Sequence, residues 1–199
     1  MKIRVTTEVT FDDEQIKKEN QETKGIIMCK KLNELSGMTP ANILEMCPTD
    51  SNTYAIDMKD IMKKIGVSVV TYDFTALSDK VGKNINGAIV LSGDRLAVFV
   101  SKKLSQEEQR FVLAHELGHC CRQASTLKSQ KIALSCSTNS STYQEQEADE
   151  FAFELLLPEK DFRKVCDKFS GKKDVSLLAE IFCVPPKCIT QRMANLGIT

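Results

Sequence analysis

The sequence predicts an α+β fold, in which a small sheet packs against helices instead of alternating with them. Three observations carry this. Runs 67–72, 87–91 and 96–100 are short, apolar and bounded by turn residues, as strands are. After Ser105 the apolar residues recur with helical spacing. Hydrophobic residues make up 42% of 199, enough for one good core with a small appendage.

The elements follow in chain order. Ile3, Val5, Thr7, Val9 and Phe11 alternate with mostly polar residues, as in a short strand. Residues 12–36 are helical in character but highly charged, and stretch 12–24 suits a solvated face. Thr39 is an N-cap with Pro40 at the first helical position, opening a helix to about Cys47. Residues 48–53 form a polar break, so 1–50 stand apart as an N-terminal extension of unknown role. Ala55, Met58, Ile61, Met62 and Ile65 have the spacing of a core helix, stopped by Gly66. Ser92-Gly93-Asp94-Arg95 joins two of the strands as a hairpin. Ser105 and Glu108 form a capping box for a helix over 106–123. Residues 124–142, rich in Ser, Thr and Lys, suit a loop. Helix 143–157 ends at Pro158, and 159–169 is helical again. After the break Gly171-Lys172-Lys173 come two short helices, 174–182 and 186–196, with Gly197 as a stop.

Composition narrows the function. Twenty-seven basic residues balance 27 acidic ones, so no global basic field points to nucleic acid. No apolar run approaches the roughly 20 residues of a membrane span. The N-terminus lacks the apolar segment of an export signal. A cytoplasmic protein is expected. Its eight cysteines (29, 47, 120, 121, 136, 166, 183 and 188) are then expected as reduced thiols. No CxxC pair occurs, and Cys183 with Cys188 has no second pair to complete a zinc site.

The chain has only two histidines, both in His115-Glu116-Leu117-Gly118-His119. Residues i and i+4 share a helix face, so both imidazoles can bind one metal ion. Glu116 beside them suits a general base, the HExxH pattern of helical zinc peptidases. The bland alternative is a helix with two half-buried histidines. Catalytic zinc takes three protein ligands and keeps one open position. No third histidine exists, so a carboxylate or thiolate is needed. Helix 143–157 offers Glu145, which shares a face with Ala148, Asp149, Ala152, Leu155 and Leu156 and so points inward. Glu147 sits with Glu150, Phe151 and Glu154 on a more solvated face. Glu145 could instead complete a capping box with Thr142. Asp149, one turn on, is placed to accept a ligand histidine's ring N–H and fix its tautomer. Zinc would acidify its water and polarise the scissile carbonyl, with Glu116 moving the proton. Tyr54, Tyr72, Tyr143, Arg110 and Arg122 remain open as oxyanion donors. Phe111, Phe151 and Phe153 are expected in the core, and Cys120 and Cys121 as buried structural thiols.

Two segments carry a family resemblance. They are Arg110-Phe111-Val112-Leu113-Ala114-His115-Glu116-Leu117-Gly118-His119 and the run from Glu145 through Ala148, Asp149, Phe151 and Ala152 to Leu155-Leu156-Leu157-Pro158. With Ile65-Gly66-Val67 and Gly87-Ala88-Ile89-Val90 upstream, residues 55–198 resemble the ImmA/IrrE metallopeptidases. The resemblance implies a zincin-like core over 51–170, a small twisted sheet packed on the HExxH helix and a second ligand helix. It implies a helix-turn-helix-like tail over 171–199. It implies Zn2+ held by His115, His119 and Glu145, with Glu116 as the catalytic base and Asp149 behind the ligands. The implied substrate is a protein regulator, a helix-turn-helix repressor encoded nearby on a mobile element, and no membrane is involved. The alternatives are a non-catalytic metal-containing regulator or a toxin–antitoxin component that binds a repressor or DNA. In the tail only Lys187, Gln191 and Arg192 suit a DNA reader, which favours a structural or docking role over direct DNA binding.

Overall fold

A computed structural model describes residues 32–48, 53–76, 85–92, 95–125, 127, 132–136, 143–169 and 174–198. The strand expected at 3–11, the charged stretch 12–24 and the break at 171–173 lie outside them.

Helix α1 (Leu32–Leu35) leads into α2 (Pro40–Met46). Thr39 caps α2, its side chain accepting from Asn42 N while Asn42 Oδ1 accepts from Thr39 N. Helix α3 (Met58–Lys64) starts three residues later than the apolar spacing suggests. Asp57 takes the cap position there and accepts from the backbone of Lys59 and Asp60, which fixes the first turn.

Strand β1 (Ser68–Tyr72) is followed by a single 3₁₀ turn (Phe74–Ala76), then by β2 (Ile85–Ser92) and β3 (Arg95–Ser101). The hairpin forms as expected, with Ser92 opposite Arg95. One expectation fails. Within the span read as a loop, Ile132–Cys136 form β4, antiparallel to β2. Ile132, Leu134 and Cys136 do alternate in sequence, but five residues among Ser, Thr and Lys do not stand out. The pairing comes from β2, whose backbone groups need partners. The sheet order is β1-β3-β2-β4, with β1 parallel to β3.

The remaining helices are α4 (Gln106–Arg122), α5 (Tyr143–Leu156), α6 (Glu159–Cys166), α7 (Val175–Phe182) and α8 (Pro186–Leu196). Ser105 and Glu108 cap α4 reciprocally at 3.2 and 2.9 Å. Asp174 caps α7, and Gly197 closes α8 with φ 63°. Helix α6 stops at Cys166, short of the expected 169.

Alternation along the strands splits the apolar side chains between two faces. Ile89, Val98 and Val100 face the helices and join Leu113, Leu117, Phe151 and Leu155 in the main core. Val70, Ala88, Val90, Ala97 and Phe99 form a second cluster with Phe74 on the other face. The main core also takes in Leu32, Leu35 and Ile43 before residue 50, and Leu178, Phe182 and Ile189 beyond residue 171. Two arginines tie the last helices down. Buried Arg192 donates from Nε to Leu157 O at 3.0 Å, and Arg110 donates from Nη1 to Cys183 O. Cys47, Cys120, Cys121, Cys166, Cys183 and Cys188 are in no disulfide. Among the described residues no helix is long and apolar enough to cross a membrane.

Candidate metal centre

The centre is built where α4 crosses α5. Close approach of these helices depends on Gly118. A Cβ there would stand 3.0 Å from Ala148 Cα and O and 3.1 Å from Phe151 Cβ. Contact this tight brings one face of α4, bearing both histidines, against the start of α5.

His115 and His119 are buried one turn apart, with their Nε2 atoms 3.0 Å from each other. Glu145 reaches both, Oε2 lying 3.3 Å from His115 Nε2 and Oε1 lying 3.7 Å from His119 Nε2. One ligand atom from each of the three residues falls within 4.8 Å of the others. Donors about 2.0–2.2 Å from a tetrahedral ion stand about 3.3–3.6 Å apart, so the spacing suits a single small cation. Thr142, the partner in the competing capping box, lies outside the described residues. The buried face of α5 is wider than its helical spacing suggests, because Phe151 and Phe153 are buried along with Ala148, Ala152, Leu155 and Leu156.

The far side of each imidazole is tied back. His115 Nδ1 is 2.8 Å from Asp149 Oδ1. His119 Nδ1 is 2.8 Å from Gln123 Oε1, a residue that sequence reasoning missed. Its signal was present, since Gln123 stands four residues after His119 on the same helix face. The Gln123 amide also donates from Nε2 to Gln144 O at 2.8 Å, linking the end of α4 to the start of α5. With both Nδ1 atoms facing acceptors, an imidazole that gives up its second proton keeps the other on Nδ1 and turns an Nε2 lone pair inward. Two lone pairs and a carboxylate aimed at one point repel one another unless a cation sits between them. The donor set therefore fits a metal ion.

Glu116 lies at the centre of α4 and is 1% exposed. It rests against β2, where a Cβ at Gly87 would collide with Glu116 Oε1 and come within 2.8 Å of Val112 Cγ1. Gly87 thus clears the space that the Glu116 carboxylate occupies. A glycine inside a strand is a recognised sign of close approach.

The electrostatics are dominated by three carboxylates around two imidazoles. Burial works against a charged His115, but hydrogen bonds to Asp149 and Glu145 and the charge of Glu116 outweigh it and push its pKa up to about 10. His119 is raised as well, against burial, by Glu145 and Glu116. Glu145 is held down at about 2 by its hydrogen bonds to the two histidines. This excess of negative charge is what a divalent cation would neutralise.

The other singled-out residues are engaged elsewhere. Burial pushes the Cys120 thiol well above its usual range and Cys121 to about 12, as expected of structural thiols. Tyr54 packs on Phe182, and Tyr72 sits edge-on to Phe74 and Phe99. Arg122 lies over the Phe151 ring. Tyr143 is 73% exposed at the start of α5. Phe151 is in the core as expected, whereas Phe111 and Phe153 also line a cavity beside Asp149. They flank a groove because α8 meets this side of α5 with polar side chains, which do not fill the space over the rings.

No curated protein gives a significant match. Among solved structures, a Mycobacterium tuberculosis transcriptional regulator aligns with a TM-score of 0.47 and 19% identity. The alignment covers 92% of this chain and 46% of that one, so the chain spans about half the length of that regulator. Residues 62–194 match the profile of the IrrE N-terminal-like domain, Peptidase M78. That match takes in both histidines, Glu116, Glu145 and well over half of the sequence, and the chain belongs to the IrrE N-terminal-like Peptidase M78 family.

Proposed function

We propose that this protein is a zinc-dependent endopeptidase that hydrolyses a peptide bond in a protein regulator, with a helix-turn-helix transcriptional repressor as the substrate class. The observation that carries the proposal is the convergence of two tied-back histidines and Glu145 on one point beside buried Glu116. Nitrogen and carboxylate donors in a set of three with an open fourth position suit zinc. When bound, zinc would polarise the scissile carbonyl and acidify a water molecule at the open position.

The chain's own groups do the rest. Asp149 and Gln123 hold the imidazoles in the tautomer that presents Nε2. Glu145 adds the charge that strengthens the hold on a cation. Glu116, kept dry by α4 and β2, takes a proton from the attacking water and hands it to the leaving amine nitrogen. An intact base at position 116 supports an enzyme over a stoichiometric binder, which would have no need of it.

The tail supports docking over DNA reading. Of its three residues suited to bases, Arg192 is buried on Leu157 O, leaving Lys187 and Gln191. A cytoplasmic site of action follows from a repressor substrate. The test is co-incubation of the zinc-loaded protein with the repressor encoded beside its gene, with chelator and Glu116→Gln controls. Cleavage that needs both zinc and Glu116 is expected. Equal loss of intact repressor with Glu116→Gln refutes the proposal.

A further inference from the structure

Between α5 and α8 lies a cavity of about 370 Å³ that opens beside Asp149. One wall is the α5 stripe Gln146, Asp149, Glu150 and Phe153, spaced for a single helix face. The facing wall is the α8 stripe Lys187, Gln191 and Asn195. Phe111 of α4 closes one end, its ring 5.3 Å from that of Phe153. The volume is at the lower end of small-ligand sites, suited to one long side chain.

We propose that this cavity is a specificity subsite that receives an arginine side chain of the peptide substrate. The inference rests on the peptidase reading and adds to it the substrate's chemistry. Its first support is charge. Asp149 and Glu150 place two carboxylates in the cavity against one ammonium, Lys187. Its second is shape, since the paired rings of Phe111 and Phe153 offer apolar faces on which a guanidinium stacks. Its third is hydrogen bonding. Arginine brings five N–H donors and no acceptor. The lining supplies carboxylate oxygens and the amide oxygens of Gln146 and Gln191 to receive them. Asp149 spends Oδ1 on His115, and its carboxylate has a second oxygen to offer. The subsite therefore lies one residue away from the metal ligands, within reach of a peptide that crosses the centre. Leucine gains only the ring contacts there, and glutamate meets like charge.

The test separates binding from cleavage. Zinc-loaded Glu116→Gln protein, which is to bind without turnover, is titrated with capped Ala-Arg-Ala, Ala-Leu-Ala and Ala-Glu-Ala peptides and followed by amide NMR. The arginine peptide is expected to bind about tenfold tighter than the leucine peptide, through its charge-assisted hydrogen bonds. Its shifts are expected to cluster at 146–153 and 187–195. Adding Glu150→Lys on the exposed rim is expected to remove most of that preference, and Lys187→Glu to increase it. Equal binding of the three peptides, shifts that map elsewhere, or a preference indifferent to both rim changes each overturns the subsite. Arginine-selective binding by a protein whose intact form cleaves nothing would uphold the subsite and sink the peptidase reading. Cleavage without arginine selectivity would do the reverse.

Discussion

Replacing Gln123 by leucine keeps the buried volume but removes two hydrogen bonds, each 2.8 Å long. The two losses are unequal. Gln144 is exposed, so water can take over its carbonyl. His119 is 8% exposed, and its Nδ1–H is left without an acceptor in a dry site. An unsatisfied buried donor costs about 1–3 kcal/mol. If the ring relieves this by shifting its proton or turning, the Nε2 lone pair leaves the metal position. Loss of an outer partner typically lowers metal affinity about 10–100-fold, equal to about 1.4–2.8 kcal/mol. The two ranges agree, which is the expected result if orienting His119 is what Gln123 does. Gln123→Glu separates the roles. It keeps an acceptor for His119 Nδ1 and gives up the donor to Gln144 O. Its zinc affinity is expected within about threefold of the intact protein, with a lower melting temperature. Zinc affinity by competition with a chelating dye, together with thermal melts, checks both variants. If Gln123→Leu binds zinc as tightly as the unchanged protein, the orienting role is wrong.

Other outcomes follow from the same geometry. Gly118→Val forces a branched side chain against Ala148 and Phe151, and is expected to cost about 1–3 kcal/mol or more in chemical denaturation while lowering zinc affinity. Gly87→Ala pushes Glu116 from its place, and is expected to lower hydrolysis more than zinc content, measured together by activity and metal analysis. Arg192→Leu leaves the Leu157 carbonyl without its charged donor, and is expected to destabilise the protein by about 1–3 kcal/mol in urea melts. In the metal-free protein, pH acts through the same pairs. His115 has a folded pKa raised to about 10, so its contribution is complete below about pH 6.5 and is lost as pH rises through 10. Glu145 is lowered to about 2, so its contribution is present above about pH 4.5 and lost as pH falls through 2. Denaturation of chelated protein across pH is expected to show a plateau near 4.5–6.5. Stability unchanged from pH 6 to 10 contradicts this.

The residues of the candidate centre were legible because their signals are local. His115, Glu116 and His119 fall within one helical turn, and the want of a third histidine turned attention to an acid. Glu145 and Asp149 followed from which face of one helix is apolar. Capping chemistry likewise marked the starts of α2 and α4. What stayed hidden depends on other parts of the chain. Strand β4 exists because β2 offers it an edge, and five residues carry little pattern of their own. The role of Gly87 appears only when β2 is laid against α4, and that of Gln123 only when α4 meets Gln144. Arg192 looked available to a partner until its bond to Leu157 O was visible. Phe153 is in the core and Phe111 packs against it, but that both rings also line a cavity stayed hidden, because sequence shows that a side chain is apolar and not which neighbours leave part of it uncovered.

The most direct test compares the unchanged protein with Glu116→Gln at equal zinc occupancy, confirmed by native mass spectrometry, on a library of proteome-derived peptides. New peptide termini are expected with the unchanged protein at a rate at least about 100-fold above Glu116→Gln, the lower bound for loss of a positioned proton-transfer group. Equal cleavage by the two proteins, or none by either with zinc fully bound, would contradict the account of a His115, His119 and Glu145 centre driven by Glu116.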